Sequence, residues 1–379
     1  FVIKGIMTPT AALKAVEAGA DDLAVVDVVL PDSLKILGDG AFACYHILSH
    51  VTLNEGLEFI GSHAFWSTAI NELTVPSSVK ELEEGCFEGT FYSGGHAPVT
   101  IDGGNTDYVV VDGCVYNADR TMLLFCPPTH DSVDIPDSVE IIAGAALNNC
   151  SLQTLAIGRN IREIRELTFV RGPLIHTYTL GRIEVAEGNL NYSSYEGALY
   201  NKEKTKLIFC PLAAVQLTLP KSVVELDSWL LSYNSYMERY AVEEGNQTYG
   251  AYDGCLYDKG CRNLLAIAQG RSGNIALPAS MVGPSDLSGF VRAAKFGSFT
   301  VEDGNACFES HDGSLYDKGR KTLIFASTAF TEFFVAEPVE RIGSYAFSCH
   351  WGLTKLTCAD SVKSIGVRAF ECTALKQVD

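Results

Sequence analysis

The sequence has few basic residues and no long apolar run. It carries 28 Lys and Arg against 46 Asp and Glu, a formal net charge of -18. Because nucleic acids and anionic membranes are bound through basic surfaces, this balance argues against both as partners and favours basic ligands or cations. No apolar run approaches the roughly 18 to 20 residues that span a bilayer. No signal-peptide pattern opens the sequence, but it begins at Phe1 rather than Met, so a removed leader stays open.

The short motifs of common active sites are also missing. No G-x-S-x-G, H-E-x-x-H, phosphate-binding loop or dinucleotide fingerprint occurs. His46 and His50 have a metal-ligand spacing, but the phase of the repeat places His50 on a strand, away from His46. Glu243, Glu244 and Asp253 match no ordered calcium loop, although calcium held between two loops stays an alternative. We predict a non-enzymatic protein without catalytic residues, cofactor or metal site.

What the sequence has instead is repetition. The I-P-D-S-V that starts at Ile135 returns as L-P-D-S at Leu30, V-P-S-S-V at Val75 and L-P-K-S-V at Leu219. Copies without an insertion recur about every 22 or 23 residues, the period of a leucine-rich repeat. Stacked repeats of this kind share one continuous core, so the pattern predicts a solenoid.

A second pattern, Gly-x-x-Ala-Phe, follows in each repeat. Its clearest copies start at Gly38, Gly61, Gly343 and Gly366. Glycine permits a tight backbone turn, alanine lets neighbouring turns stack closely, and phenylalanine fills the interior. We therefore predict that these aromatic residues belong to the core.

The twelve cysteines fall mostly on repeat positions. We expect Cys150, Cys349 and Cys372 to share one position, with Cys44 one residue earlier, as a buried ladder of reduced thiols. Cys114 and Cys126 stand on the two arms of one predicted hairpin and are the pair we expect to be oxidised.

Four insertions interrupt the repeats, near residues 101–132, 185–216, 242–274 and 301–332. Each combines an acidic-Gly-Asn turn, an aromatic residue, a carboxylate-Gly pair, a tyrosine and a polar turn. The tyrosines, each followed seven residues later by a leucine, are Tyr116, Tyr200, Tyr257 and Tyr316. Apolar alternation on both sides of a polar turn predicts a β-hairpin, and the constant offset predicts a constant register.

Residues 1–27 differ from the rest and predict a strand-helix-strand N-terminal cap, with the helix between Pro9 and Gly19. This stretch resembles one unit of the FMN-dependent α-hydroxy-acid oxidase barrels, in which the lysine that corresponds to Lys4 lies beside the flavin. The resemblance ends at V-V-L-P-D-S, which is already repeat, and one such unit cannot close a barrel. A fragment of a flavin-dependent enzyme is the least favoured alternative.

Over about residues 28–379 the sequence resembles the BspA-like leucine-rich repeat proteins. The P-D-S-V starts, the G-x-x-A-F turn and the acidic-G-N … D-G-x-L-Y … L-I-F-x-P insertion carry the resemblance. With the cap, it implies an α/β leucine-rich-repeat solenoid, mainly β, with four β-hairpin insertions. The family's surface-exposed, adhesion-associated members imply a cell-surface or secreted protein that binds protein partners. An intracellular or organellar complex is the alternative location.

A partner-binding face follows from strand alternation. In L-Q-T-L-A-I the apolar residues point inward and leave two residues outward, and the same phase applies to the other repeats. The predicted face comprises His50, Thr52, Glu72, Thr74, Thr154, Ala156, Arg182, Glu184, Arg239, Ala241, Ser298, Thr300, Lys355 and Thr357. A solvated sheet without a partner is the alternative reading.

The function we predict is protein-protein recognition or adhesion by a non-enzymatic scaffold. A structural subunit of a large multiprotein assembly is the alternative. It is suggested by the lack of a leader pattern and by the two ends. The last residues, L-K-Q-V-D, are expected to stop about one residue short of the central apolar position of the next strand, which predicts a piece of a longer chain.

Overall fold

The structure is a computed structural model, and it describes residues 26–88, 99–127, 133–147, 150, 152–165, 179–227, 231, 234–283 and 297–379. No α-helix occurs in these ranges. The strands of the first half are β1 Val26–Val29, β2 Ile36–Leu37, β3 Leu48–Thr52, β4 Phe59–Ile60, β5 Leu73–Val75, β6 Glu81–Leu82, β7 Val99–Ile101, β8 Tyr108–Val111, β9 Cys114–Asn117, β10 Met122–Phe125, β11 Ile141–Ile142, β12 Thr154–Ile157, β13 Glu163–Ile164 and β14 Arg182–Val185.

The strands of the second half continue the series. They are β15 Tyr192–Tyr195, β16 Ala198–Asn201, β17 Leu207–Phe209, β18 Gln216–Leu219, β19 Arg239–Val242, β20 Tyr249–Tyr252, β21 Cys255–Asp258, β22 Leu264–Ala266, β23 Asn274–Leu277, β24 Ser298–Val301, β25 Phe308–His311, β26 Ser314–Asp317, β27 Thr322–Phe325, β28 Glu332–Val335, β29 Arg341–Ile342, β30 Lys355–Cys358, β31 Ser364–Ile365 and β32 Gln377–Val378.

The chain divides into two compact units. One consists of Phe1–Leu180 with Glu184–Tyr192, and the other of Gly181–Ile183 with Ser193–Asp379. The division expected from the sequence, a cap over residues 1–27 and a solenoid over 28–379, stays a prediction.

The predicted cap falls almost entirely outside the described residues, which begin at Val26. The predicted helix and Lys4 therefore lie outside the described residues. The part that is described, β1, pairs in parallel with β3 and places Asp27 opposite His50. Residues 26 and 27 thus form part of a repeat strand, and the α component of the predicted α/β class has no counterpart among the described residues.

Each repeat contributes two parallel strands to the solenoid. The strand that starts a repeat, such as β18 before Pro220-Lys221-Ser222, pairs with the same strand one repeat later, as in β18 with β19 and β28 with β30. A two-residue strand further on forms a separate parallel ladder, as in β2-β4-β6 and β29-β31. The predicted leucine-rich-repeat solenoid is confirmed.

The Gly-x-x-Ala-Phe turns supply stacked aromatic rings to the interior. Phe42, Phe65 and Phe87 stack in series with ring centroids 5.9 and 6.1 Å apart, and Phe65 is fully buried. In the other unit Phe347 stacks on Phe370 at 5.1 Å. Each ring meets the ring of the adjacent repeat because all occupy the same position of their repeat. The predicted core role is confirmed for Phe65 and Phe347, whereas Phe42 and Phe370 are partly buried and pack against the core.

The four insertions are confirmed as antiparallel elements, and each has one strand more than predicted. We call them inserts 1 to 4: residues 108–125, 192–209, 249–266 and 308–325. In all four, the tyrosine of the second strand faces the leucine seven residues later, as predicted. The additional strand comes first, and a two-residue turn joins it to the second strand.

That two-residue turn is the carboxylate-Gly pair. In insert 3, Asp253 and Gly254 both have positive φ, 45° and 75°. Two consecutive residues with positive φ form a type I′ turn, whose twist matches that of antiparallel strands, and Asp-Gly is a preferred sequence for it. The pairs Asp112–Gly113, Glu196–Gly197 and Asp312–Gly313 share this conformation.

An asparagine, buried at inserts 2 to 4 and half-buried at insert 1, ties each insert to the preceding repeat. Asn246 is fully buried, and its Nδ2 donates to the carbonyl oxygens of Pro220 and Val223, both at 3.0 Å. Its Oδ1 accepts from the backbone nitrogens of Thr248 and Tyr249, both at 2.8 Å. The same four bonds are made by the corresponding residues Asn105, Asn189 and Asn305.

The cysteines follow the sequence prediction in part. Cys114 and Cys126 are joined by a disulfide across insert 1, with a Cα–Cα distance of 4.4 Å, which confirms the predicted pair. The buried ladder is wrong, because Cys349 is only partly buried, Cys44 and Cys372 are exposed, and Cys150 alone is buried.

Backbone geometry explains why the ladder prediction failed. Cys44, Cys349 and Cys372 share one position with φ between 54° and 60°, two residues after the core phenylalanine. Cys150 lies three residues after its core Leu147. Aligning the repeats on their cysteines therefore combined two neighbouring positions that differ in exposure.

Candidate partner-binding face

The strand alternation expected from the sequence is present in every predicted pair. The residue between the two members, such as Ile183 or Tyr240, is buried, whereas the members themselves are exposed or partly exposed. We use the name outward face for the side of the strands on which these pairs and their in-register neighbours lie, within either unit. Its role in partner binding stays a prediction.

The register of the strands adds residues that the sequence reasoning missed. Gln216 lies opposite Arg239, and Asn274 lies opposite Ser298. Asp27 lies opposite His50, and their side chains are 3.1 Å apart. Strand alternation applied to the residues just before Leu219-Pro220 and Leu277-Pro278 could have found the first two.

The type I′ turns of the inserts interrupt the sheet on this face. The carbonyl oxygen of Gly254 accepts from the backbone nitrogen of Tyr240 on β19 at 2.8 Å. The Oδ2 of Asp253 accepts from the backbone nitrogen of Ala276 on β23 at 2.7 Å. The turn therefore accepts hydrogen bonds from backbone N–H groups of the strands on both sides, where a neighbouring strand would otherwise pair. It also places the carboxylate of Asp253 on the outward face.

A cavity of about 660 Å³ opens beside this turn. Two predicted or in-register face residues, Arg239 and Gln216, line it together with Glu238, Asp253, Arg271 and Ser272. Arg271 and Asp253 form an ion pair at 2.9 Å. The side chains of Arg239 and Glu238 are exposed and make no hydrogen bond or ion pair with another described residue, so this polar cavity keeps one free guanidinium and one free carboxylate.

Two of the three carboxylates named for calcium, Glu243 and Asp253, already have protein partners. Glu243 accepts from the hydroxyl of Tyr195 at 2.5 Å and from the backbone nitrogen of Lys221 at 2.8 Å. The hydrogen bond to Glu243 raises the pKa of Tyr195 to about 12, and the same bond lowers the pKa of Glu243. The hydroxyl of Tyr252 donates to Glu302 in the same way. Each of these two tyrosine–glutamate bonds therefore links an insert, insert 2 or insert 3, to the repeat that follows it.

The two histidines with metal-ligand spacing are held apart. His50 lies on β3 beside Asp27, whereas His46 is 3.4 Å from the hydroxyl of Ser67. No group of three or more His, Cys, Asp or Glu residues in the described ranges is placed to hold a metal ion.

Comparison with family models decides the relationship of the chain. Six copies of the BspA type leucine rich repeat region match residues 21–93, 124–195 and 321–379, more than half of the sequence. The chain belongs to the BspA-type leucine-rich repeat family. The match begins at residue 21, inside the segment predicted as a cap, which agrees with the place of β1 in the repeat.

Solved structures similar to this BspA-type chain are bacterial. A leucine-rich repeat protein from Eubacterium ventriosum is 18% identical with a TM-score of 0.39, over 93% of this chain and 90% of that chain. The pneumococcal vaccine antigen PcpA is 18% identical with a TM-score of 0.34, over 93% and 67%. A leucine rich cell surface protein from Faecalibacterium prausnitzii is 17% identical with a TM-score of 0.35, over 93% and 78%. A search of curated proteins found no significant match.

The described part of this BspA-type protein has no helix with the length and hydropathy needed to cross a bilayer. The buried side chains of its repeats serve the architecture, as strand interiors, stacked rings and asparagine bonds. Polar side chains without such a role line the outward face, and we take that face as the candidate functional site.

Proposed function

We propose that this protein is a non-enzymatic scaffold for protein recognition or adhesion, located at the cell surface or secreted. The observation that carries the proposal is the outward face, where exposed polar residues surround a cavity of about 660 Å³ that contains the free side chain of Arg239. Family membership supports it, because leucine-rich repeats are a common protein-binding architecture. The partner would contact strand residues and the acidic turns together.

An alanine scan of the face tests this proposal. Arg182→Ala, Glu184→Ala and Arg239→Ala are each expected to weaken capture of the native partner, because interface arginines and their neighbours contribute most when they are desolvated by the partner. Arg341→Ala is the matched control, since Arg341 is an exposed arginine on β29, a strand of the other ladder. If all four variants retain every partner, the outward face is not the binding surface.

Two measurements address the location and the competing interpretation. Antibodies against the folded protein are expected to label intact, unpermeabilised cells of its source. Light scattering after size exclusion of native material distinguishes a scaffold that is isolated free or with a partner from a built-in subunit of a large assembly. A constant high-mass complex that never releases the chain would favour the subunit.

A further inference from the structure

A smaller cavity of the outward face lies beside insert 4. Its volume is about 360 Å³, near the lower end of the roughly 300 to 1,000 Å³ of ligand clefts, so it has room for a single large side chain. The type I′ turn at Asp312 forms one side. On the other side β28 presents two residues outward, Glu332 and Phe334, because Phe333 and Val335 point into the core.

Two exposed aromatic side chains line this cavity. The ring of Phe334 is 60% exposed and that of Phe330 is 38% exposed, although both are large apolar side chains. Phe330 packs edge-on against Phe333 at 6.0 Å, and Phe333 packs against the core ring Phe347 at 5.2 Å. Two exposed rings in one concavity, one of them supported by the core, differ from the scattered apolar residues that any surface has.

The rim of the cavity is acidic. Glu332 and Glu337 are exposed and form no ion pair or hydrogen bond with another described residue. The carboxylate of Asp312, also on the rim, is 70% exposed and lies 3.2 Å from His311. These three carboxylates line the same cavity as the two exposed rings.

The positive charges nearby are already engaged. Arg320 lines the cavity, but its Nε donates to Glu309 at 3.0 Å. Lys355 lies opposite Glu332 in the β28-β30 register, but its ammonium pairs with Asp379 at 3.0 Å, and Asp379 contributes more than Glu332 to the raised pKa of Lys355. The free groups of the rim therefore carry negative charge, in agreement with the net charge of -18 of the whole chain.

We infer that this cavity receives an arginine or lysine side chain of a protein partner. The methylene stem would lie on Phe330 and Phe334, and the cationic group would lie over the ring of Phe334 between Glu332 and Glu337. A cation over an aromatic face is attracted by the ring's quadrupole, and long basic side chains bury their stems while the charge stays near water. Arginine fits better than lysine, because its planar group both stacks on a ring and bonds carboxylates in pairs.

The inference rests on the proposed recognition function and specifies the chemistry of one contact. The probe is the pentapeptide acetyl-Gly-Gly-Arg-Gly-Gly-amide, titrated into the whole chain and followed by saturation-transfer NMR. A second peptide replaces arginine with citrulline, which has nearly the same shape and no charge. A third carries norleucine, which keeps only an apolar stem.

The arginine peptide is expected to bind saturably, and the citrulline and norleucine peptides about fivefold or more weakly. Each exposed charge pair contributes about a two- to fivefold change in affinity, so Glu332→Gln with Glu337→Gln is expected to weaken binding about five- to tenfold. Phe334→Ala is expected to weaken it about two- to fivefold through the lost cation–π contact. Because the carboxylates are exposed, binding should also weaken in high salt.

Asp303→Asn is the matched control, because Asp303 is an exposed carboxylate of the Asp-Gly-Asn turn and does not line the cavity. It should leave the affinity unchanged. Equal binding of the citrulline peptide, absence of saturable binding, or an equal loss in Asp303→Asn would each overturn the inference. If the arginine peptide fails while the face scan abolishes partner capture, only this contact is wrong. If the peptide binds as expected while the scan leaves capture intact, the cavity stands and the proposed function is wrong.

Discussion

Replacing Asn246 by alanine tests whether the buried asparagines hold the inserts on the repeats. The side chain is fully buried and makes four hydrogen bonds, two donated at 3.0 Å and two accepted at 2.8 Å. Alanine would remove all four bonds and leave the carbonyl oxygen of Val223 and two N–H groups without these partners, whereas the carbonyl oxygen of Pro220 keeps the bond from the backbone nitrogen of Val223 at 3.1 Å. With about 1 kcal/mol for each lost bond, we expect a loss of about 3 to 5 kcal/mol of unfolding free energy.

Gln247→Ala is a control from the same turn. Gln247 is exposed and its amide makes one hydrogen bond, to the carbonyl oxygen of Gly245 at 2.8 Å, so its replacement should cost less than about 1 kcal/mol. Urea unfolding followed by circular dichroism measures both variants. Hydrogen exchange shows whether the loss includes the segment from Leu219 to Tyr249, since repeat proteins can unfold in parts.

Asn246→Asp separates the donated bonds from the accepted ones. The carboxylate keeps the acceptor for Thr248 and Tyr249 but faces the carbonyl oxygens of Pro220 and Val223, so burial and repulsion should raise its pKa in the folded state. The variant should therefore gain stability as the pH falls from 7 to 5, relative to the wild type. If Asn246→Ala and Gln247→Ala differ in unfolding free energy by less than about 1 kcal/mol, the buried asparagine does not hold the insert on the repeat.

Two further predictions concern the inserts and the last repeats. Ala198 and Cys210 have the register of Cys114 and Cys126, since Leu199 pairs with Phe209 as Val115 pairs with Phe125. Ala198→Cys should therefore form a disulfide with Cys210 under mild oxidation, detected by mass spectrometry as a cross-linked peptide. Two free thiols at these positions would contradict the shared register. Lys321 and Lys363 lower the pKa of Glu340 to about 2, so the stabilising contribution of this carboxylate is present above pH 4.5 and is lost as the pH falls through about 2. Glu340→Gln should have a lower urea unfolding midpoint than the wild type at pH 6 and a smaller difference from it at pH 2. Equal midpoints at pH 6 would rule the contribution out.

In the inserts, the local sequence pattern predicted the pairing of two strands and missed a third. The seven-residue offset from Tyr257 to Leu264 predicted the pairing of the second and third strands, because register within a hairpin depends only on local chain length. The first strand was missed, although Asp253–Gly254 is a recognisable type I′ turn sequence. Once that turn is recognised, the three-stranded element follows from the sequence.

The sequence predicted which strand residues point outward, but not which side chains of the site contact one another. Alternation along one strand identified Arg239 and its counterparts as outward, since neighbouring residues of a strand face opposite sides. It could not show that Asp253 reaches Ala276 or that Arg271 pairs with Asp253, because these groups are 23 and 18 residues apart. Separations of that size become contacts only when the insert folds back on the sheet.

The sequence by itself determined the repeat, its period, the core phenylalanines and the four insertions, because each depends on spacing within about 25 residues. Tertiary structure alone decided which acidic residues stay free. Glu243 and Asp253 are engaged by Tyr195 and Arg271, whereas Glu332 and Glu337 remain open in a cavity that two exposed rings also line. The physical reason is that a carboxylate's partners come from adjacent repeats and inserts, whose distance in space no local pattern records.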